Sequence, residues 1–482
     1  MKLREILDGY EYEVLAGSLD IEIEAVENDS RKLEAGSLFI AEVGYTVDGH
    51  DFIEAALEKG AQALIVERDI KLDGPTVIKV ESSLDAMAFI ANKFYNRPWS
   101  KMHTIGITGT NGKTSTTYFI KSILDMARAK VGIIGTIGSV IDNEKIEIEN
   151  TTPNSLVINK LFNRMVEKNI DYGIMEVSSH ALALKRVEYM EFETAIFMNL
   201  AKDHLDYHKT VENYFQSKLK LFSMTNKSNI INIDDDYGRR IIEGMGKTPS
   251  LYSFGLDKEA DVFASQIKYS LDKVEYRLNI LGQEIDIRLN IPGEFSIYNS
   301  LAAAACAYSY GIDLETIKAG LENIEGVKGR FEVVPTNTDY TVIIDFAHTA
   351  EGLRQVLHTI EDFAEARKIV VFGAGGNRDK TKRPEMGEVV GRLADIAIVT
   401  SDNPRNEEPE AIIEDVVVGV EKGDAQYVKI VDRIEAIHHA IDIAEKGDIV
   451  LLAGKGHETY TLIKGRTIAC DERQIVLDYL ER

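Results

Sequence analysis

Residues 104–124 read TIGITGTNGKTSTTYFIKSIL, an apolar run, a glycine-punctuated turn and an amphipathic run in direct succession. That order predicts strand, loop and helix. Glycines at 109 and 112 let backbone N–H groups wrap a phosphate chain, and the helix start adds partial positive charge. Lys113 can neutralise phosphate oxygens, and Thr114 can ligate Mg²⁺. The loop Gly109, Thr110, Asn111, Gly112, Lys113, Thr114 and Ser115 is therefore expected to hold a nucleoside triphosphate. The generic G-x-x-x-x-G-K-[ST] form needs glycine at 107, where this chain has Ile107.

Upstream of this loop, the runs GSLFIAEVG (36–44) and AQALIVE (61–67) flank the helical pattern DFIEAALEKG (51–60). Pro98, in NRPWSK, then breaks a helical pattern and marks a boundary. Downstream, TIGIT, VGIIGT, YGIMEV, ETAIFMNL and NIINID alternate with amphipathic helices, the pattern of a parallel sheet covered on both faces. After Gly329, the runs TVIIDF, KIVVFGA, IAIVTSD and DIVLLAG each end in polar or glycine-rich text, where open parallel sheets bind ligands. The expectation is an α/β chain of three domains. These are a small N-terminal α/β domain at 1–98, a central P-loop parallel-sheet ATPase domain at 99–328, and a C-terminal Rossmann-like α/β domain at 329–482.

The length of 482 residues agrees with about three domains at roughly 150 residues each. With 55 Lys and Arg against 79 Asp and Glu, the formal charge is −24, which argues against nucleic-acid binding or an anionic membrane surface. Cys306 and Cys470 are the two cysteines, too few for a disulfide framework or a cysteine-only metal site, and they suit a reducing cytoplasm. The N-terminal text MKLREILDGYEYEVL lacks a secretion signal's apolar core, and no run approaches the ~18 apolar residues of a membrane span. A cytoplasmic protein is expected.

The variant TGTNGKT (108–114) occurs with NDSRKLEAGSLFIAEVG (28–44), DGHDFI (48–53), NTTPNS (150–155), MEVSSHALALKRV (175–187) and NLAKDHLDYH (199–208). Further along stand VKGRFE (327–332), DFAHT (345–349), FGAGGNRDKTKRPEM (372–386), DNPR (402–405) and GKGHE (454–458). Together these resemble the Mur ligases of bacterial cell-wall synthesis, among them those adding the third peptide residue to UDP-N-acetylmuramoyl-L-alanyl-D-glutamate. The resemblance implies one domain for the UDP end, one for ATP and one for the incoming amino acid. It implies that a carboxylate attacks the γ-phosphate of ATP, giving an acyl phosphate that an amine converts to an amide.

Glu176 ends the apolar YGIMEV. Alone it reads as a solvated strand-end carboxylate; beside a phosphate loop it reads as a magnesium ligand. His204 alone would be a hydrogen-bonded histidine and Lys218 a solvated helix lysine. The resemblance implies instead that both serve a metal with Thr114 and Glu176, Lys218 as a carbamate, so that Lys113, Glu176, His204 and Lys218 form the catalytic set. It further implies nucleotide contacts from Asn299, Arg330, Asp345 and His348. The UDP-muramoyl dipeptide would meet Ser30, Asn150, Thr151, Thr152, Ser178 and Arg186.

Asp402, Asn403, Pro404 and Arg405 match the pattern of relatives that add meso-diaminopimelate, with Arg383, Gly454 and Glu458 completing the implied pocket. The physical logic is that diaminopimelate carries a second carboxylate, which a guanidinium grips in a paired, charge-assisted way. Glu458 would take an ammonium group. The chain departs from the family text at Leu184, Ser296, Ala350 and Asn377. A ligase for L-lysine or another acceptor, and an inactive nucleotide-binding regulatory protein, are the competing readings. Retention of Lys113, Glu176, His204 and Lys218 opposes the latter. The expected partners are ATP, the dipeptide and diaminopimelate, with Mg²⁺ as cofactor, no nucleic acid, no membrane, and a monomeric chain.

Overall fold

The computed structural model describes residues 1–44, 47–246, 249–270, 273–361 and 363–481. The C-terminal segment expected to end at 482 thus runs one residue past the described chain. Among the described residues, three main sheets follow one another along the sequence.

The first sheet has five strands in the order Glu13–Ala16, Thr76–Lys79, Ala61–Val66, Ser37–Ile40, Ala25–Glu27. All neighbours are parallel except the first pair. Ser37–Ile40 is buried at every position, which is why its text is a continuous apolar run and not an alternating one. The chain leaves this sheet through the helix Ser83–Phe94 and the short 3-10 turn Pro98–Lys101. Trp99 is buried there, and its Nε1 donates to Asn92 Oδ1 at 2.5 Å.

The second sheet has eleven strands, with His103–Thr108 near its middle. Strands from Val131–Gly135 through Val262–Tyr269 run parallel, as the apolar runs predict. Both edges, however, end in antiparallel hairpins that the parallel reading did not contain. Local turn chemistry builds them. Asp142 and Asn143 (φ 50° and 65°), and Leu281 and Gly282 (φ 46° and 84°), occupy two-residue loops whose left-handed backbone matches strand twist. Ile105 and Ile107 pack with the helices Lys113–Met126 and Glu294–Ser309 in one core, and the alanine-rich SLAAAAC lets those helices approach closely.

The third sheet orders its strands Glu332–Val334, Thr341–Asp345, Ile449–Ala453, Lys368–Phe372, Ile396–Val399, Gln426–Lys429. Only the Glu332–Val334 pairing is antiparallel. A small hairpin, Tyr460–Ile463 with Arg466–Ala469, stands beside it.

Candidate active site

A cleft of about 1130 Å³ lies where the carboxyl ends of the second and third sheets' strands meet. Its floor is the phosphate loop. Gly112 has φ 88°, and a Cβ there would come within 2.5 Å of Asn299 Oδ1, so both the left-handed turn and the close helix approach require glycine. Lys113 Nζ folds back onto the carbonyls of Gly109 at 2.9 Å and Thr110 at 3.0 Å. Thr114 Oγ1 donates to Glu176 Oε2 at 3.0 Å.

Glu176 is buried and closely held. Thr136 donates to it through its backbone N–H and its hydroxyl, both at 2.9 Å. A Cβ on Gly135 would meet Glu176 Oε1 at 2.3 Å, so that glycine makes room for the carboxylate. Arg330 Nη2 donates to the Thr114 hydroxyl at 3.3 Å, and its guanidinium lies 4.4 Å over the Phe346 ring. Asp345 accepts N–H donors from Phe331 and Ala347 at 2.6 and 2.7 Å; burial raises its carboxyl pKa while Arg330 opposes that. His348 Nδ1 donates to the Phe346 carbonyl, and burial lowers its pKa.

His204 has φ 55° and presents its ring edge-on to His180 at 4.8 Å. Burial chiefly drives its pKa down to about 3, with the charges of His180, His348 and Lys218 acting in the same direction. Burial alone would raise Asp203, but His204, Lys382 and His348 hold it below the usual carboxylate range. Lys218 is 1% exposed, not a solvated helix lysine, and its Nζ donates to the Gly109 carbonyl at 2.8 Å. Burial first, then Lys113, lowers its pKa well below that of an ordinary lysine. Two ion pairs tie the His204 loop to the helix Lys382–Leu393: Lys202 with Glu385 at 2.5 Å and Asp203 with Lys382 at 3.8 Å.

The donor set fits a hard cation. A threonine hydroxyl and a carboxylate adjoin a phosphate loop, as magnesium chemistry asks. Among the described residues no three His, Cys, Asp or Glu converge to hold a metal. Thr114 and Glu176 would therefore share such an ion with the substrate's phosphates.

At the far end of the cleft, Arg405 has φ 52°, and its Nη1 donates to the Gly376 and Asn403 carbonyls at 2.9 and 3.4 Å. Burial first, then the nearby charge of Arg378, lowers its pKa. Among the described residues neither guanidinium has an ion-pair partner, and both line the cleft with Asp402, Asn403, Gly454 and Glu458.

Of the residues expected at the site, the cleft wall brings together Thr110 to Ser115, Asn150, Thr151, Glu176, Ser178, His204, Asn299, Arg330, Asp345, His348, Asp402, Asn403, Arg405, Gly454 and Glu458. Gly109 and Lys218 lie just behind it. Thr152 is a buried keystone: its hydroxyl donates to the Glu176 carbonyl at 2.8 Å, and its own carbonyl accepts from Arg186 at 2.7 Å. Pro404 does not line the cleft, and Ser30 sits apart in the 3-10 turn Ser30–Lys32 of the first sheet's segment.

Arg383, expected in the amino-acid pocket, does not line the cleft. It is 1% exposed, and its guanidinium donates to Asp415 at 2.8 Å, Glu407 at 2.9 Å and the Gly375 carbonyl at 3.3 Å. Its place in the helix's first turn faces the helix Pro409–Val420, so it braces the loop while Arg378 reaches the cleft. Arg378, Thr136 and Lys455 were not singled out from sequence. The signal for Arg378 was its position in GGNRDK directly after a strand's carboxyl end. Among the departures, Asn377 suits its left-handed φ of 52° and accepts the Asn406 N–H, and the buried Ser296 donates to the Gly293 carbonyl at 2.6 Å.

Family models match in three segments: "Mur ligase family, catalytic domain" at 22–95, "Mur ligase middle domain" at 107–307 and "Mur ligase, glutamate ligase domain" at 329–456. The chain is 46% identical over 484 residues to UDP-N-acetylmuramoyl-L-alanyl-D-glutamate–2,6-diaminopimelate ligase 1 of Clostridium acetobutylicum, covering 100% of this chain and 99% of that one. It is 46% identical over 484 residues to the like-named ligase of Clostridioides difficile, covering 100% of both. A solved structure of a UDP-N-acetylmuramoyl-L-alanyl-D-glutamate–2,6-diaminopimelate ligase superposes with TM-score 0.69 at 29% identity, covering 100% of this chain and 99% of that one. The fold is shared with a MurF ligase of Thermotoga maritima in complex with ADP, at TM-score 0.67 and 19% identity over 95% of this chain and 97% of that one.

Proposed function

Because the chain belongs to the Mur ligase family, we infer that it is the ATP-dependent amide ligase that adds 2,6-diaminopimelate to UDP-N-acetylmuramoyl-L-alanyl-D-glutamate in peptidoglycan synthesis. One observation carries the reading. A single cleft holds a phosphate loop with its paired Thr114 and Glu176 at one end, and at the other Asp402 and Glu458 with the guanidiniums of Arg405 and Arg378, which have no ion-pair partner among the described residues.

The chemistry follows from that layout. A dipeptide carboxylate attacks the γ-phosphorus of ATP, ADP leaves, and an acyl phosphate remains. The amine of diaminopimelate then attacks the acyl carbon, phosphate departs with the bonding electrons, and the amine proton is released. Lys113, parked on loop carbonyls, is placed to turn toward the nucleotide's phosphates, and Arg330 stands beside them. Asn150, Thr151 and Ser178, which line the cleft, face the dipeptide, and Ser30, outside the cleft in the turn Ser30–Lys32, serves the uridine end. Thr114 and Glu176 would hold a magnesium ion, which would supply charge neutralisation at the transferring phosphoryl group.

His204 and Lys218 lie next to that position, and as an ammonium Lys218 would oppose a cation. Its lowered pKa favours the neutral amine, which adds to CO₂ with loss of a proton, and the carbamate so formed is an anion that suits the cation. Arg405 and Arg378 grip the distal carboxylate of meso-diaminopimelate, and Glu458 its ammonium. We assign residues 1–98 to the UDP end, 99–328 to ATP and 329–482 to the amino acid. No helix of the described residues is long and apolar enough to cross a membrane. We place the reaction in the cytoplasm with a monomeric enzyme.

The deciding assay is ADP release from ATP with the muramoyl dipeptide across a panel of amines. Release that depends on diaminopimelate is expected. Release driven equally by L-lysine would move the acceptor, and no release with any amine would end the reading.

A further inference from the structure

Lys455 is the most completely enclosed charged side chain of the third sheet's ligand end, 0% exposed, and it does not line the cleft. It follows the strand Ile449–Ala453 in the sequence GKGHE, between Gly454 (φ 113°) and Gly456 (φ 54°). Its Nζ donates to the Tyr460 carbonyl at 2.7 Å and to Asn403 Oδ1 at 3.4 Å. It stands 3.7 Å from Asp402 Oδ1 and 3.6 Å from Glu458 Oε2. Each of these four partners does line the cleft.

The partners are also tied to one another. Asn403 Nδ2 donates to Glu458 Oε2 at 2.9 Å, while Asn403 Oδ1 accepts the Leu462 N–H at 2.9 Å. One buried cation thus sits behind a wall built from two chain segments, 402–403 and 458–462.

We infer that Lys455 is a positioning and specificity-determining residue for the incoming amino acid: it holds Asp402, Asn403 and Glu458 as a preorganised acceptor face for the substrate's ammonium, and does so without touching the substrate. This deepens the diaminopimelate-ligase reading and rests on it. The electrostatic case is direct. Two carboxylates brought together away from water repel, and one takes up a proton unless a cation separates them. Burial and the charge of Asp402 raise Glu458, and Lys455 with the Asn403 amide opposes them. Arg405 and Tyr460 also face Glu458, while Arg433 faces Asp402 and Cys470 faces Lys455. Arg433 is already committed to Glu472 at 2.6 Å and to the Ser401 and Ala453 carbonyls, so it is not a substitute. Without Lys455 a proton takes the place of the missing positive charge, and a protonated Glu458 presents a poorer acceptor to an ammonium.

The test separates the two halves of the reaction. Hydroxylamine attacks the acyl phosphate through nitrogen, the acyl carbon–oxygen bond breaks, phosphate leaves, and a hydroxamate forms with loss of a proton to solvent. That readout needs ATP and the dipeptide but not the amino-acid face. The variant is Lys455→Gln, which keeps a donor for the Tyr460 carbonyl, with Lys455→Met in parallel should it not fold. Expected are hydroxamate formation within about twofold of the parent and a KM for diaminopimelate raised about tenfold or more at pH 7. That rise should shrink toward pH 9 as Glu458 loses its proton. Lys455→Arg should restore a KM that is flat across the same range. An unchanged KM, an increase equal at every pH, or hydroxamate formation lost together with amide formation would overturn the inference. If the parent itself yields no hydroxamate, the failure belongs to the ligase reading and not to Lys455.

Discussion

Lys113 and Lys218 donate to one acceptor, the carbonyl of Gly109, at 2.9 and 2.8 Å. Two ammonium groups sharing one carbonyl would repel, and burial first, then the charge of Lys113, lowers the pKa of Lys218 well below that of an ordinary lysine. Conversion of Lys218 to a carbamate would replace that repulsion with attraction to Lys113 and to a cation. Lys218→Ala should lose activity by on the order of 100-fold, with partial recovery from short carboxylates. Bicarbonate labelled with ¹³C should give a carbamate resonance in the parent but not in the variant. Full activity in Lys218→Ala would remove the role.

Thr114 and Glu176 are expected to hold the metal only together with the nucleotide. Chelation should abolish ADP release, and magnesium should restore it. Glu176→Gln keeps the shape but not the charge, and should raise the magnesium concentration needed for half-maximal rate about tenfold or more. An unchanged magnesium requirement would place the ion elsewhere.

The two arginines of the GGNRDKTKR segment should separate cleanly. Arg378→Ala is expected to raise the KM for diaminopimelate with little effect on a urea unfolding midpoint. Arg383→Ala removes the cation that Glu407 and Asp415 share, leaving Glu407 with Lys380, and should cost about 2–3 kcal/mol of stability. If Arg383→Ala instead changed only the amino-acid KM, its bracing role would be wrong.

Arg405 should govern the choice between acceptors. Lysine leaves its guanidinium without a carboxylate, whereas diaminopimelate supplies one. Arg405→Ala should narrow the ratio of kcat/KM values for diaminopimelate and L-lysine by about tenfold or more. A ratio equal to the parent's would eliminate the explanation.

Acid sensitivity follows from histidines held neutral. Burial first, then nearby positive charge, lowers His208 and His457 from 6.5 to about 4. The unfolded chain then binds protons that the folded chain refuses. Stability from these groups is complete above the unfolded value and is lost as pH falls from about 6.5 toward 4, at up to about 1.4 kcal/mol per pH unit for each. Urea midpoints at pH 7.5, 5.5 and 4.5 measure this, and His208→Gln should flatten the decline. A midpoint that stayed level down to pH 4.5 would contradict it.

Much of this molecule is legible in its text. The strand, glycine turn and helix of residues 104–124 are local chemistry: glycines permit the turn, apolar runs fix both-face burial, and no distant partner is needed. The hairpins at 141–144 and 280–283 were equally local, carried by Asp-Asn and Leu-Gly loops, but the surrounding parallel pattern masked them. What the text could not decide is which face of a helix turns inward. Arg378 and Arg383 are five residues apart and chemically identical, and only the packing of Lys382–Leu393 on Pro409–Val420 buries one and leaves the other in the cleft. Lys218 and Lys455 make the same point. A lysine in isolation reads as solvated, because its environment is made by segments a hundred or fifty residues away in the chain, Gly109 for the first and Asp402 with Asn403 for the second. Residue identity set the available charges; the tertiary contacts set which of them water can reach, and hence what each can do.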